Sequence, residues 1–284
     1  MIKQRNIHYR KAKNALVNLF CILSIGIALF AMFWILRTVW AQGAHALSFE
    51  FLTEPSKPYG EPHSGIANAL LGTIYMTLGA TLLAVPPAMA AGIYLAEFGK
   101  NNRLATAIRF CGNVLMGIPS IIIGLFVYII IVVPTGNFSG WAGAIALSMI
   151  MFPVVMRTTE DILLMVPDTL RESALALGMT RMRATLCIIA RSAKNGLITG
   201  VLLALARVSG ETAPLLFTAL FADSWPSHFF EQPTASIPVL ITEYTNNSPF
   251  ESMHSMGWGA ALIMAFGILA INLLSRIFFH EHKH

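Results

Sequence analysis

Six long apolar runs, at 16–40, 66–96, 104–133, 141–156, 197–221 and 256–279, alternate with short polar segments. Most approach or exceed the ~20 residues a helix needs to cross the hydrocarbon core, the fourth being short. The pattern predicts an all-α integral membrane protein of six transmembrane helices, and an even number of crossings puts both termini on one side. Pro86, Pro87, Pro119 and Pro153 predict interruptions in three of the runs, since proline removes a helix donor and clashes with the preceding turn. Gly117, Gly124, Gly140, Gly143 and the small-residue run 88–92 are expected where helices pack closely.

Composition sharpens the class. The chain is 56% hydrophobic and only 12% charged, with mean hydropathy +0.66, whereas a soluble domain carries about 25% charged residues. One helical domain over 16–279 is expected, with a basic arm at 1–15, a long polar loop at 157–196 and a tail at 280–284. The net charge of +5 does not mark a nucleic-acid binder, because sixteen of the nineteen Lys and Arg residues fall in segments on one side of the spans. That distribution follows the positive-inside rule and makes the arm, the 157–196 loop and the tail cytoplasmic. The arm reads as the flank of an uncleaved first span, too long for a signal-peptide core. Cys21, Cys111 and Cys187 are odd in number and dispersed, so they read as small apolar fillers rather than a disulfide framework. The loops 42–65 and 222–255, acidic or neutral and rich in Pro, Ser, Thr and Asn, read as solvated connectors on the far side. Trp225, Phe229 and Phe230 are placed to join an interfacial aromatic belt.

Two charges interrupt the fifth run. Arg207 and Glu211 are four residues apart, so on a continuous helix they share a face and neutralise each other. A charge at membrane depth is costly and faces protein or water, which points to a polar path. The arginine fork suits a tetrahedral oxyanion, and Glu211 would orient it; a purely structural ion pair fits the same spacing. Thr212 and Ser209 are weaker candidates, because hydroxyls in membrane helices often bond their own backbone. Arg157 ends the fourth run, either as an interfacial anchor or as an inner anion contact, with Glu160 and Asp161 available to pair with it.

The loop from Pro167 to Gly178 reads as a short helix over 168–178. Asp168 or Thr169 can cap it, and Gly178 can end it in the left-handed conformation. Leu175 and Leu177 leave it an apolar exposed side that another protein must cover. Glu172, Ser173, Ala174 and Gly178, followed by Ile188, stand at the spacings of the cytoplasmic loop of ATP-binding-cassette importer permeases, which the chain resembles. It departs at Ser173, and at Ala190-Arg191 where that family has Leu-Pro. The runs from Pro119-Ser120 through Gly124 to Phe126, from Pro153 through Arg157-Thr158-Thr159 to Glu160, and from Arg207 through Gly210-Glu211-Thr212-Ala213-Pro214 to Thr218 are similar to the PstA family of phosphate-importer permeases.

This resemblance implies a six-span type I importer permease in a bacterial inner membrane, moving phosphate. Its partners would be a homologous permease, PstC, a dimer of the ATPase PstB, and the periplasmic phosphate-binding protein PstS. It implies a substrate path through Arg207, Glu211, Arg157 and Thr212, and ATPase coupling through Glu172, Ser173, Ala174 and Gly178. No Gly-rich phosphate loop with Lys-Ser/Thr is present, so the chain is expected to hold no cofactor, with ATP and Mg on the partner ATPase. His280, His282 and His284 in the tail lack further ligands and are not read as a metal site. Two alternatives stay open. One is an importer permease for another oxyanion, such as molybdate or sulfate, or for an organic solute. The other is a stand-alone secondary transporter, although no internal inverted repeat is evident.

Overall fold

The computed structural model describes residues 7–61, 63–99 and 102–279. The first six residues of the basic arm, Lys100 and the histidine-bearing tail 280–284 lie outside the described residues. Every regular element among them is helical. Helix α1 (Ile7–Gly43) is followed by the short α2 (Phe49–Thr53), whose first turn is capped by the Ser48 hydroxyl accepting from Phe51 N. Helix α3 (Ala67–Ile93) runs on as a π turn, Tyr94–Phe98. Helices α4 (Arg103–Gly117) and α5 (Ser120–Val127) meet at a 100° bend, and α5 continues through a π turn, Tyr128–Val132, into the single turn α6 (Val133–Thr135). Helix α7 (Gly140–Leu164) is capped by the Ser139 hydroxyl, and α8 (Asp168–Ala176) follows it.

The second half is more broken. The run α9 (Arg181–Ala184), a π turn Thr185–Ile189 and α10 (Ala190–Ser192) meets α11 (Lys194–Val208) at a 71° bend. Then come α12 (Ala213–Thr218), α13 (Ile237–Thr242), which passes into the π turn Glu243–Asn247, and α14 (Glu251–Phe279). Four helices are long and apolar enough to cross a membrane alone, and counting each bent pair as one crossing gives six. The fold is all-helical and multi-pass.

Proline does not act uniformly. Pro119 stands at the α4–α5 bend, but Pro86, Pro87 and Pro153 sit inside helices that continue past them. Neighbouring helices in a bundle can accommodate the freed carbonyls and the ring. The fourth span is therefore not short. It covers all 25 residues of α7, because the polar stretch from Arg157 to Asp161 prolongs the helix beyond the apolar run.

The core is the seam between α3 and α7. Ala80, Ala84 and Ala88 are fully buried and pack with Leu147, Met151 and Val155, so the two backbones approach closely. In a membrane such approach replaces the hydrophobic drive that lipid cannot supply. At the seam's end a methyl group on Gly92 would stand 2.6 Å from both Met156 O and Thr159 Cβ. Helix α1 does the opposite. It is exposed along most of its length and meets α14 only through its last turns, where Trp40 packs edge-on to Phe266 at 5.8 Å. Cys21, Cys111 and Cys187 are free and exposed, and so fill no core.

The far-side loops are not simple connectors. Asn68 donates to Ser56 Oγ and to Ala222 O, both at 2.8 Å, and accepts from Ser56 N at 2.9 Å, while Ser56 Oγ donates to Asp223 Oδ1 at 3.0 Å. Ala235, Ile237, Leu240 and Tyr244 are buried with Phe51 and Ala260, and Ile237 N donates to Thr73 Oγ1 at 2.9 Å. The apolar residues of 235–244 need cover, and folding the segment back onto α3 and α14 supplies it. Burial pushes the Asp223 carboxyl up, with Ser56 opposing and Glu243 and Glu61 adding to it. Burial likewise carries the Tyr244 hydroxyl to about 12.

Two outcomes follow from this packing. Gly92→Ala should destabilise the subunit by about 1–3 kcal/mol, because backbone and a β-branched neighbour would have to move. Thermal unfolding in detergent measures this, and an unchanged midpoint would show that the seam tolerates a methyl group. A carboxyl whose folded pKa lies above its unfolded value binds its proton more tightly when folded. The far-side layer should therefore gain stability as pH falls from neutral toward the ordinary carboxyl value of 3.8, and lose it as pH rises through the raised Asp223 pKa. Hydrogen exchange over 234–244 should follow that trend in the wild type and flatten in Asp223→Asn; the same slope in both would assign it elsewhere.

Candidate translocation site and coupling surface

The fifth apolar run is not one helix. Helix α11 ends at Val208, and Ser209 to Thr212 form a turn in which Gly210 N bonds Arg207 O and Glu211 N bonds Val208 O. Gly210 weakens the helix here, and Pro214 in the first turn of α12 disfavours helical backbone at the residue before it. The expected one-face pairing of Arg207 with Glu211 is consequently absent. Among the described residues neither side chain has an ionic partner. Arg207 is exposed, on the same uncovered side of α11 as Leu203, and Glu211 and Thr212 are half-buried beyond the helix end. The Ser209 hydroxyl donates back to Ala206 O at 2.8 Å, as expected of a hydroxyl in such a helix.

This break packs against the other one. A methyl on Gly124 of α5 would meet Pro214 Cα at 2.6 Å and Pro214 O at 3.0 Å. The motif beginning at Pro119 and the motif beginning at Arg207 are thereby brought together, two discontinuous helices facing each other. Backbone interrupted at membrane depth is tolerated where protein or a water-filled cavity surrounds it.

At the Arg-rich end the charges are organised into two clusters. Glu160, 3% exposed, accepts from Arg109 Nε at 2.7 Å and from Arg157 Nη1 at 3.3 Å; Arg157 also contacts Asp161 at 3.3 Å, and Arg109 donates to Leu95 O at 3.1 Å. Arg157 is thus held by its own helix neighbours rather than left open. The second cluster joins Glu97 in the π turn after α3 to Arg171 of α8, Nη2 to Oε1 at 2.8 Å. Arg171 also pairs with Asp168 at 3.1 Å. The hydrogen bond to Glu97 raises the Arg171 pKa despite partial burial, so the guanidinium stays charged.

Helix α8 forms where the sequence places it. Its first turn has no side-chain cap, Pro167 occupying the cap position, and Asp168 is spent on Arg171 rather than on the backbone. Gly178 adopts φ +81 with open space around it, and Gly178 N and Met179 N close the helix on Leu175 O and Ala174 O. Ala174 is buried inward, whereas Glu172, Ser173, Leu175 and Leu177 face out, Leu177 at 82% exposure. An acidic group beside uncovered leucines is a docking surface in its chemistry. Arg171, by contrast, is turned into the subunit.

Sequence reasoning passed over Glu97 and Arg109 and treated Glu160 only as a neighbour of Arg157. The available signal was an acidic residue within an otherwise apolar helix end next to a basic segment, the pattern in which a carboxylate is buried with an arginine.

Comparison with known proteins agrees with this architecture. Residues 88–280 match the family model of binding-protein-dependent transport system inner membrane components. The phosphate transport system permease protein PstA of Haemophilus influenzae is 43% identical over 276 residues, covering 97% of each chain. The PstA of Pasteurella multocida is also 43% identical, covering 97% of this chain and 98% of that one. The probable phosphate transport system permease protein PstA of Methanocaldococcus jannaschii is 41% identical over 209 residues, 73% of each. A solved chain of the MetNI methionine ABC transporter in an inward-facing conformation superposes with TM-score 0.64 over 75% of this chain and 94% of that one; at 17% identity it speaks for the fold. With two thirds of its length on the family model and near-complete alignment to the permeases, the chain belongs to the binding-protein-dependent transport system inner membrane components and, among them, to the PstA family of ABC importer permeases.

Proposed function

We propose that this chain is one half of the translocation path of an ATP-driven inorganic phosphate importer. The observation that carries the path is Arg207, an arginine in an apolar span that has no ionic partner and lies uncovered at a helix break. Its five N–H donors in a planar fork suit a tetrahedral oxyanion, and phosphate as that anion is supported by the PstA relatives. Because the face bearing Arg207 is open in the single chain, a second permease, PstC, completes the path. Glu211, unpaired beyond the helix end, and Thr212 line the same break and adjust how tightly the anion is held. Arg157 contacts phosphate at the inner end by competing with Glu160 and Asp161 for it.

The Arg-rich end is cytoplasmic by the positive-inside rule, in the inner membrane of a bacterium, with both termini on that side. There Glu172, Ser173, Ala174 and Gly178 shape the surface that docks a PstB ATPase dimer, which carries ATP and Mg; this chain contributes no nucleotide site and no cofactor. PstS delivers phosphate to the far side. ATP binding drives the change of access by favouring one of two conformations.

Two measurements test the reading. In a reconstituted complex Arg207→Gln should lose about 1.5–3 kcal/mol of interaction with the anion, roughly 10- to 150-fold in phosphate uptake, while assembly persists. Arg207→Lys, which keeps charge but not the fork, should fall between. Wild-type uptake in Arg207→Gln would remove this residue from the path. Gly178→Val places a β-branched residue at φ +81 where nothing crowds it, so its cost is backbone strain of about 1–3 kcal/mol confined to the docking turn. The subunit should insert normally and lose ATP-driven uptake; normal uptake with normal ATPase stimulation would refute the docking surface.

A further inference from the structure

Neither the anion path nor the outward face of α8 uses the junction between Glu97 and Arg171. The Glu97 carboxylate, 3% exposed, receives Arg171 Nε at 3.0 and 3.2 Å and Nη2 at 2.8 Å. The same guanidinium donates from Nη2 to Leu163 O at 2.7 Å, and from Nη1 to Val166 O and to Asp168 Oδ1. One side chain therefore ties together the end of α7, the turn after it, the first residue of α8 and the end of α3. Around it Ala96, Leu163, Val166, Ile189, Ala193 and Leu197 are packed dry. Beyond the Gly178 turn, Arg181 lies over the Phe98 ring at 5.4 Å, so the π turn Tyr94–Phe98 is gripped from both sides of the exposed docking turn.

We propose that this junction is a strut, with Arg171 and Glu97 as positioning residues that transmit displacement of α8 into α3 and, through the α3–α7 seam, across the membrane. The inference deepens the coupling reading above and rests on it. A displacement delivered to a lone exposed helix would be lost in its flanking turns. A fork that engages four segments at once in a dry setting leaves no slack, because breaking any one bond strands a buried polar group. The π turn supplies the compliant element at which the displacement enters α3. Lysine, a single point donor, could not hold the four segments together.

The test uses the whole importer in proteoliposomes. Glu97→Gln/Arg171→Met removes both charges together, so no buried charge is left unpaired. The strut predicts that this variant assembles with the ATPase and hydrolyses ATP at its basal rate, yet loses phosphate uptake roughly 10-fold or more. It also predicts loss of the nucleotide-driven change in hydrogen exchange along α3, a readout independent of the transported solute. In a background with Cys21, Cys111 and Cys187 replaced by Ser, Glu97→Cys/Arg171→Cys should be uncoupled when reduced. A short bis-methanethiosulfonate spacer joining the two thiols should restore uptake, and reductant should abolish it again. Uptake within about 2-fold of wild type in the assembled double-neutral variant, too small to be a coupling loss, would overturn the strut. So would spacer-bridged protein that no longer transports, since the junction would then have to open in the cycle, and so would failure to assemble even when bridged, which would assign the pair to folding. A parent complex that takes up no phosphate but keeps the nucleotide-driven change on α3 would refute the substrate assignment and leave the strut standing on its own readout.

Discussion

The close approach of α3 and α7 governs this subunit. Lipid tails are as apolar as leucine, so the two helices gain little from hiding hydrophobic surface and must gain from contact itself. Alanines at 80, 84 and 88 make that contact available, and Gly92 extends it to the Arg-rich end. Everything functional hangs from the two ends of this pair. The Asn68–Ser56–Asp223 network lies at one end, and at the other the carboxylates of Glu97 and Glu160 gather arginines from α4, α7 and α8. The pair is rigid enough for a bond made at its foot to matter at its head.

Hydropathy made the crossings legible, because a span must be apolar over a fixed length whatever it packs against. It could not show where a span bends. Pro119 broke its helix and Pro153 did not, since the outcome depends on whether neighbouring helices can accommodate the proline's missing hydrogen bond. The same limit undid the pairing of Arg207 with Glu211: spacing of four implies a shared face only on unbroken helix, and Gly210 with Pro214 ends it between them. The α8 surface was readable because its signals are local. A left-handed glycine and uncovered leucines need no knowledge of the rest of the fold. Glu97 and Arg171, by contrast, stand 74 positions apart, and nothing in either segment names the other.

Helix α1 sets a boundary on what the family shares. The family model begins at residue 88, within α3, and leaves α1 out, whereas the PstA relatives align across nearly the whole chain. The structure gives the matching physical division. Helix α1 touches α14 near Trp40 and Gly43 and is otherwise uncovered, so the bundle from α3 onward owes it little packing.

Four π turns occur among the described residues, at Tyr94–Phe98, Tyr128–Val132, Thr185–Ile189 and Glu243–Asn247. A π turn is a helix carrying one residue more than the α spiral can hold, and such a surplus rotates everything downstream by about 100°. Each therefore behaves as a stored insertion. Removing one residue from Tyr94–Phe98 would leave the chemistry of the segment nearly intact and yet swing the following side chains onto another face. In such stretches the chain's length is itself encoded information: the count of residues, more than their identity, decides which way the structure faces.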